Sequence, residues 1–309
     1  MIQSSRQLLS THGDKIKVFL EETYLRFHKT AYLYSDPLQF LHQYQDPRDQ
    51  EWVGCVAAQL AYGNVKQINS SLKLLLSLVS EITDSPHQIV KILNTMPLAR
   101  RGQVFAKFKH RLHGGADVYA FMQLMEYSVS TFGTIGDEFC SYLQSGEAES
   151  VENALTLMIK NWKEKSKKHL AETQYLFHLL ASPQDGSVCK RWCMFLRWMV
   201  RKDQLDLGLW AKGSDYLLKP EQGILPSQLI MPVDTHIGQI AHLLNWSNRK
   251  TLNWKSALEI TQILKNSDQS DPIRYDFSLS RLGILKECQK KYVLEICERC
   301  NLKPVCQMI

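Results

Sequence analysis

Nowhere in the 309 residues do about eighteen apolar residues run together, as a membrane-crossing helix would require. The opening MIQSSRQLLSTHGDK also lacks the apolar core and small-residue cleavage site of a secretory leader. No membrane partner is expected, and the expected location is the cytoplasm. The chain has no internal repeat, no low-complexity tract and no Gly- or Ser-rich linker, which excludes solenoids and beads on a string and leaves no clear domain boundary. Sustained period-two alternation is absent too, so no strand ladder is expected. Acids are missing where cations gather. Leu98 to Gly115 holds Arg100, Arg101, Lys107, Lys109 and Arg111 with no Asp or Glu, Lys160 to Lys168 holds five lysines against Glu164, and Lys190 to Lys202 holds five cations before Asp203. With a net charge of +6, this clustering points to a polyanionic partner, or else to solvated helix faces.

What is present is helical period. Ile16, Phe19, Leu20, Tyr24 and Phe27 share one face of a first helix, and similar stripes predict helices over Trp52 to Tyr62, Gln67 to Val79, Val118 to Ser130 and Val151 to Trp162. Five more are expected over Glu172 to Leu180, Lys190 to Val200, Ile237 to Leu244, Trp254 to Leu264 and Arg274 to Leu282. Prolines 37, 47, 86, 97, 183 and 272 fall between the segments, as helix breakers should. The expected class is all-α, with 44% hydrophobic residues to fill a large core. Only Asp203 to Pro232, with three glycines and three prolines, resists the pattern, and irregular chain of that length is expected to line a site or act as a lid.

Four of the eight cysteines, Cys288, Cys297, Cys300 and Cys306, follow C-x8-C-x2-C-x5-C near the end of the chain. A C-x2-C pair lets two thiolates grip one centre from a tight turn, and a cysteine on each side completes four ligands. Thiolates select an iron-sulfur cluster or zinc. Cys55, Cys140, Cys189 and Cys193 lie scattered in apolar surroundings, which suggests a reducing compartment and not disulfides. Val233-Asp234-Thr235-His236 opens an apolar-periodic helix, and there Asp234 is a strong N-cap on local physics alone.

A V-D-T-H box followed some fifty residues later by such a cysteine loop resembles the helix-hairpin-helix DNA glycosylase superfamily, in particular its endonuclease III-like, iron-sulfur members. In that family the box reads roughly V-D-T-H-V-x-R and the loop C-x6-C-x2-C-x5-C. The last two cysteine spacings match, the first is longer by two, and Gln239 stands at the arginine position. Tyr275 to Gly283 is similar to the helix leading into the first cluster cysteine. The family hairpin L-P-G-V-G-x-K-T is degraded here to Leu180 to Lys190, which keeps Pro183, Gly186 and Lys190 but lacks the Gly-x-Gly turn. Residues 64–170 match no motif, and the pattern looks closest to an uncharacterised branch of the superfamily.

The resemblance implies a single two-lobed unit over 1–309, with residues 46–235 as a central helical lobe and 1–45 plus 236–309 as a cluster-bearing lobe. Asp234 would be catalytic, Lys190 a Schiff-base nucleophile, and the four cysteines ligands of a [4Fe-4S] cluster, with zinc as the alternative. The partner would be double-stranded DNA containing a damaged base, extruded for excision. Lys190, Arg197 and Arg201 fall on one helix face that could track phosphates beside Arg191 and His236. Gln59 or Tyr62 could fill the gap left by the base, or belong to an apolar core helix capped by Gly63, and Trp192, Trp198, Trp210 and Tyr216 could stack on the base or lie in the core. The altered hairpin and Gln239 leave open an alternative: a noncatalytic nucleic-acid-binding protein that keeps the scaffold and cluster.

Overall fold

The apolar stripes become buried helix faces almost wherever their period is long enough. A computed structural model describes residues 12–143, 150–167, 173–289, 291–300 and 302–307. Residues 1–11, Lys168 of the second basic run and Glu172 lie outside the described residues. The first half of the chain forms α1 (His12–Phe27), α2 (Pro47–Gln59), α3 (Val65–Ser80), α4 (Ile89–Asn94), α5 (Leu98–Val104), β1 (Lys109–His110), β2 (His113–Gly114), α6 (Gly115–Phe132) and α7 (Ile135–Leu143). The second half forms α8 (Val151–Ser166), α9 (Leu176–Leu179), α10 (Lys190–Val200), α11 (Thr235–Leu243), α12 (Trp254–Lys265), α13 (Asp276–Ile284) and α14 (Leu294–Cys297). The protein is mostly helical, and no described helix is long and apolar enough to cross a membrane.

One sequence expectation needs correction here, and one small element was not foreseen. The helix expected over Glu172 to Leu180 is, among the described residues, only the single turn α9. A small antiparallel hairpin, β1 against β2, interrupts the helical pattern, pairing Lys109 with Gly114 and His110 with His113. Pairs this short leave no alternation long enough to read.

Packing converges on α2, whose residues from Glu51 to Gln59 are all buried and which lies against α10 and the 3-10 turn Pro37–Gln43. Asp46 caps α2 by accepting from Arg48 N at 2.9 Å, and Pro47 sits in the first turn, where no amide hydrogen is needed. Elsewhere α7 packs on α6 and α8, while α1 packs on α13, α13 on α11, and α1 on the 3-10 turn Lys303–Val305. The N-terminal helix and the C-terminal segment therefore meet in space.

The irregular stretch 203–232 is neither a lid nor, save for Pro232, a wall of the cleft described below. It is a core strap. Leu205, Trp210, Leu217, Ile224 and Leu229 are buried, and Trp210 Nε1 donates to Glu51 Oε1 at 2.7 Å. Gly136 makes this approach possible, because a Cβ there would stand 2.6 Å from the Trp210 ring. Glu51 also accepts from the amides of Ile135 and Gly136 at 3.2 and 3.0 Å, so one buried carboxylate joins α2, the start of α7 and the strap. Burial pushes its carboxyl up to about 7 against the pull of those donors.

Candidate active site

A cleft of about 420 Å³ opens where α10 begins, α11 begins and α13 passes beneath. Met231 N donates to Thr261 Oγ1 at 2.9 Å, which holds the extended approach to Asp234, and Asp234 then caps α11. Both capping bonds, from His236 N and Ile237 N at 2.8 Å each, fall on Oδ1. Oδ2 takes no part in the cap. Lys190, the first residue of α10, lines the same cleft and donates from Nζ to the Ala61 carbonyl at 3.3 Å. The turn before it lacks the paired glycines of the resembled hairpin, yet it reaches left-handed backbone twice, at Gly186 (φ +73°) and Cys189 (φ +50°). A non-glycine residue there costs about 1–2 kcal/mol, which the surrounding packing of Cys189 must offset.

His236 and Tyr62 also line the cleft. The imidazole of His236 lies against Gly283, where any Cβ would fall 2.2 Å from Nδ1, so this glycine lets the start of α11 settle onto α13. The Tyr62 hydroxyl hydrogen-bonds His113 Nδ1 and donates to the His110 carbonyl at 3.0 Å, which fixes the ring at the cleft wall.

Other expected site residues are not available to a ligand. Gln59 is 1% exposed and points into the protein at the end of α2, so it cannot fill a gap in DNA. Arg191 ties backbone together, donating to the carbonyls of Gln59 and His178, and does not line the cleft. Trp192, Trp198 and Trp210 are core and Tyr216 is half-buried; none of the four lines the cleft. Gln239 is exposed on α11.

The expected phosphate stripe of Arg197 and Arg201 is the largest correction. Arg197 is 2% and Arg201 4% exposed. Arg197 bonds Asp206 at 3.3 Å and Asp276 at 2.5 Å, while Arg201 bonds Asp206, Asp203 and Asp271 at 2.5, 2.9 and 2.8 Å. Helical spacing put both cations on one face correctly, but that face looks inward, toward carboxylates arriving from the strap and α13.

Sequence reasoning missed Asp36, Asp276 and Arg281, which form the cleft floor. Asp36 caps a 3-10 turn and pairs with Arg281 Nη2 at 2.7 Å, and this guanidinium, with Arg197, holds its carboxyl below the usual range against burial. Burial pushes Asp276 up to about 6, against the pull of Arg197 and with a further push from Asp234. Asp276 lay inside the Tyr275 to Gly283 resemblance, but nothing in one dimension paired it with Arg197. Among the three carboxylates lining the cleft, Asp36 and Asp276 each hold a guanidinium; Asp234 has no ion pair among the described residues.

The four C-terminal cysteines line one apolar pocket of about 60 Å³, with Phe19 of α1 and Leu282 of α13 in its walls. Val293 N lies 3.4 Å from Cys297 Sγ, and burial, with a smaller push from the other three sulfurs, raises the Cys300 thiol above its ordinary value. No three of these sulfurs lie within 4.8 Å of one another. Tetrahedral zinc, with bonds of about 2.3 Å, would need them roughly 3.8 Å apart. The four thiols are the soft donors in a lining that also carries apolar side chains, Glu287, Gln289, Lys291 and Lys303. The tighter group Asp46, Asp49 and His87 lies elsewhere, and its oxygens already serve Arg48, the start of α2 and the His87 ring.

No curated protein and no solved structure matches this chain. Residues 36–285, which take in every residue lining the cleft except Ser35 and end before Cys288, match the family model described as "Protein of unknown function (DUF2400)", and the chain belongs to that family.

Proposed function

We propose that the protein is a DNA repair glycosylase of the helix-hairpin-helix type, excising an extruded damaged base with Asp234 as the charged catalytic group and Lys190 as nucleophile. The observation that carries the reading is the meeting of these two residues, forty-four positions apart in sequence, in one cleft where Asp234 is the carboxylate without a cationic partner. Cleavage of a glycosidic bond builds positive charge on the sugar, and a fixed carboxylate with one oxygen outside its cap is suited to stabilise it. The neutral amine of Lys190 would bond to sugar C1′ as the base leaves with the bond's electron pair. Loss of a proton from nitrogen and opening of the sugar ring then give an iminium linkage, which permits strand scission.

The test is covalent trapping. Wild-type protein incubated with a panel of lesion-bearing duplexes and borohydride is expected to give a protein–DNA adduct with at least one lesion, and Lys190→Gln to give none. Excision that persists in Lys190→Gln without an adduct assigns water as the nucleophile; absence of excision across the panel removes the enzymatic reading.

Cys288, Cys297, Cys300 and Cys306 would hold a [4Fe-4S] cluster, which would tie the C-terminal loop to the neighbouring α1 and α13. Anaerobically purified protein is expected to be brown and to carry iron and sulfide in stoichiometric amounts. Stoichiometric zinc without sulfide would replace that assignment with the alternative.

A further inference from the structure

With Arg197 and Arg201 buried, the cations that meet DNA must lie elsewhere, and the acid-free stretch around β1 and β2 supplies them. Lys107, Lys109 and Arg111 are exposed, while the alternating Phe108 and His110 are buried at 2% and 0%. Three exposed cations are therefore spaced along the hairpin, Lys107 in the turn that leads into it, Lys109 in β1 and Arg111 in its loop. None has a carboxylate partner among the described residues, unlike Arg197 and Arg201. The hairpin is also bolted to the cleft. His110 bonds Ser71 Oγ at 2.9 Å and the Tyr62 carbonyl at 3.1 Å, and the Tyr62 hydroxyl returns a bond to the His110 carbonyl.

Arg111 is the most informative residue of the set. It occupies the first loop position with φ +52°, where glycine is favoured, so the turn bears strain while placing an arginine there. Its guanidinium lies 5.7 Å from the centre of the Tyr62 ring and beside Gly63, where a Cβ would stand 2.9 Å from Nη1. Tyr62 and Gly63 both line the cleft. A flexible cation is thus held at the mouth of the candidate active site.

We infer that the β1–β2 hairpin is a nucleic-acid grip: Lys107, Lys109 and Arg111 bind successive phosphates of duplex DNA and Arg111 anchors the backbone at the cleft mouth. This rests on the glycosylase reading for its choice of duplex DNA, but it is tested by binding and not by excision. Each phosphate neutralised releases counterions and contributes about 0.9 to the salt slope.

The probes are an undamaged duplex oligonucleotide and the same duplex carrying an abasic-site analogue, titrated over a range of salt. The triple variant Lys107→Gln, Lys109→Gln, Arg111→Gln is expected to lower the slope of log affinity against log salt by about 2 to 3 and to weaken low-salt binding about tenfold or more. A control with the same charge loss at exposed sites, Lys212→Gln, Lys219→Gln, Lys255→Gln, should leave the slope near the parent's. Arg111→Gly separates folding from binding, because it relieves the turn and should melt no lower than the parent while still losing affinity. An unchanged slope in the hairpin variant, an equal loss in the control, or no duplex binding at low salt overturns the assignment. A lowered slope without excision of any lesion keeps the grip and rejects the enzyme; excision with an unchanged slope does the reverse.

Discussion

Asp234→Asn is expected to stay folded and to bind DNA while its excision rate falls about a thousandfold. The geometry makes this substitution unusually clean. Both capping amides bond the same oxygen, Oδ1, so the asparagine carbonyl can keep both bonds and α11 its start. What is lost is the negative charge and the second oxygen, the parts a cationic sugar would need. The neighbouring carboxylates cannot take over, since Asp36 and Asp276 are each held by a guanidinium at 2.7 and 2.5 Å. Single-turnover excision, a thermal melt and duplex binding measured on one preparation decide the matter. Excision within about tenfold of the parent would show that Asp234 is a helix cap and that the chemistry lies elsewhere.

Much of this arrangement could be read from the chain, because helical period and capping are local. The apolar period gives α10 from Lys190 to Val200. Asp234 is legible as the cap of α11, although the period alone starts that helix at Ile237 and not Thr235. The C-x2-C core of the cysteine loop marks the segment whose thiols share a pocket. What could not be read is direction. The spacing of Arg197 and Arg201 gives one face of α10 but not whether it meets water or Asp206 and Asp276, which sit nine and seventy-nine positions from Arg197. The strap from 203 to 232 failed for the same reason: its Trp210 has a partner in Glu51, 159 residues away, and no local pattern distinguishes such a strap from a lid. Tyr62 was a candidate only by position, and its role at the cleft wall depends on His110 and His113 from a hairpin too short to announce itself.

Removing the buried cation should be the most damaging change to stability. Arg197→Met is expected to cost about 3–5 kcal/mol, because it leaves Asp206 and Asp276 in the interior without their shared guanidinium. The surplus of acids makes the loss worse: Arg197, Arg201 and Arg281 already serve Asp36, Asp203, Asp206, Asp271 and Asp276. The sign of its pH dependence follows from the carboxyls. Burial raises Asp276 to about 6 even with Arg197 present, and without that cation it rises further. A carboxyl whose folded value lies above its unfolded value binds protons in the native state first, so stability falls as pH climbs through that window. The variant should therefore be penalised less near pH 5 than near pH 8, as urea midpoints at the two values would show. Adding Asp276→Asn to Arg197→Met should recover part of the loss at pH 8, since Asp276 is the carboxylate left without a cation while Asp206 keeps Arg201. A penalty independent of pH, with no recovery in the double variant, would mean that Arg197 stabilises through its guanidinium over the Phe277 ring, 5.7 Å from the ring centre, and not through its ion pairs.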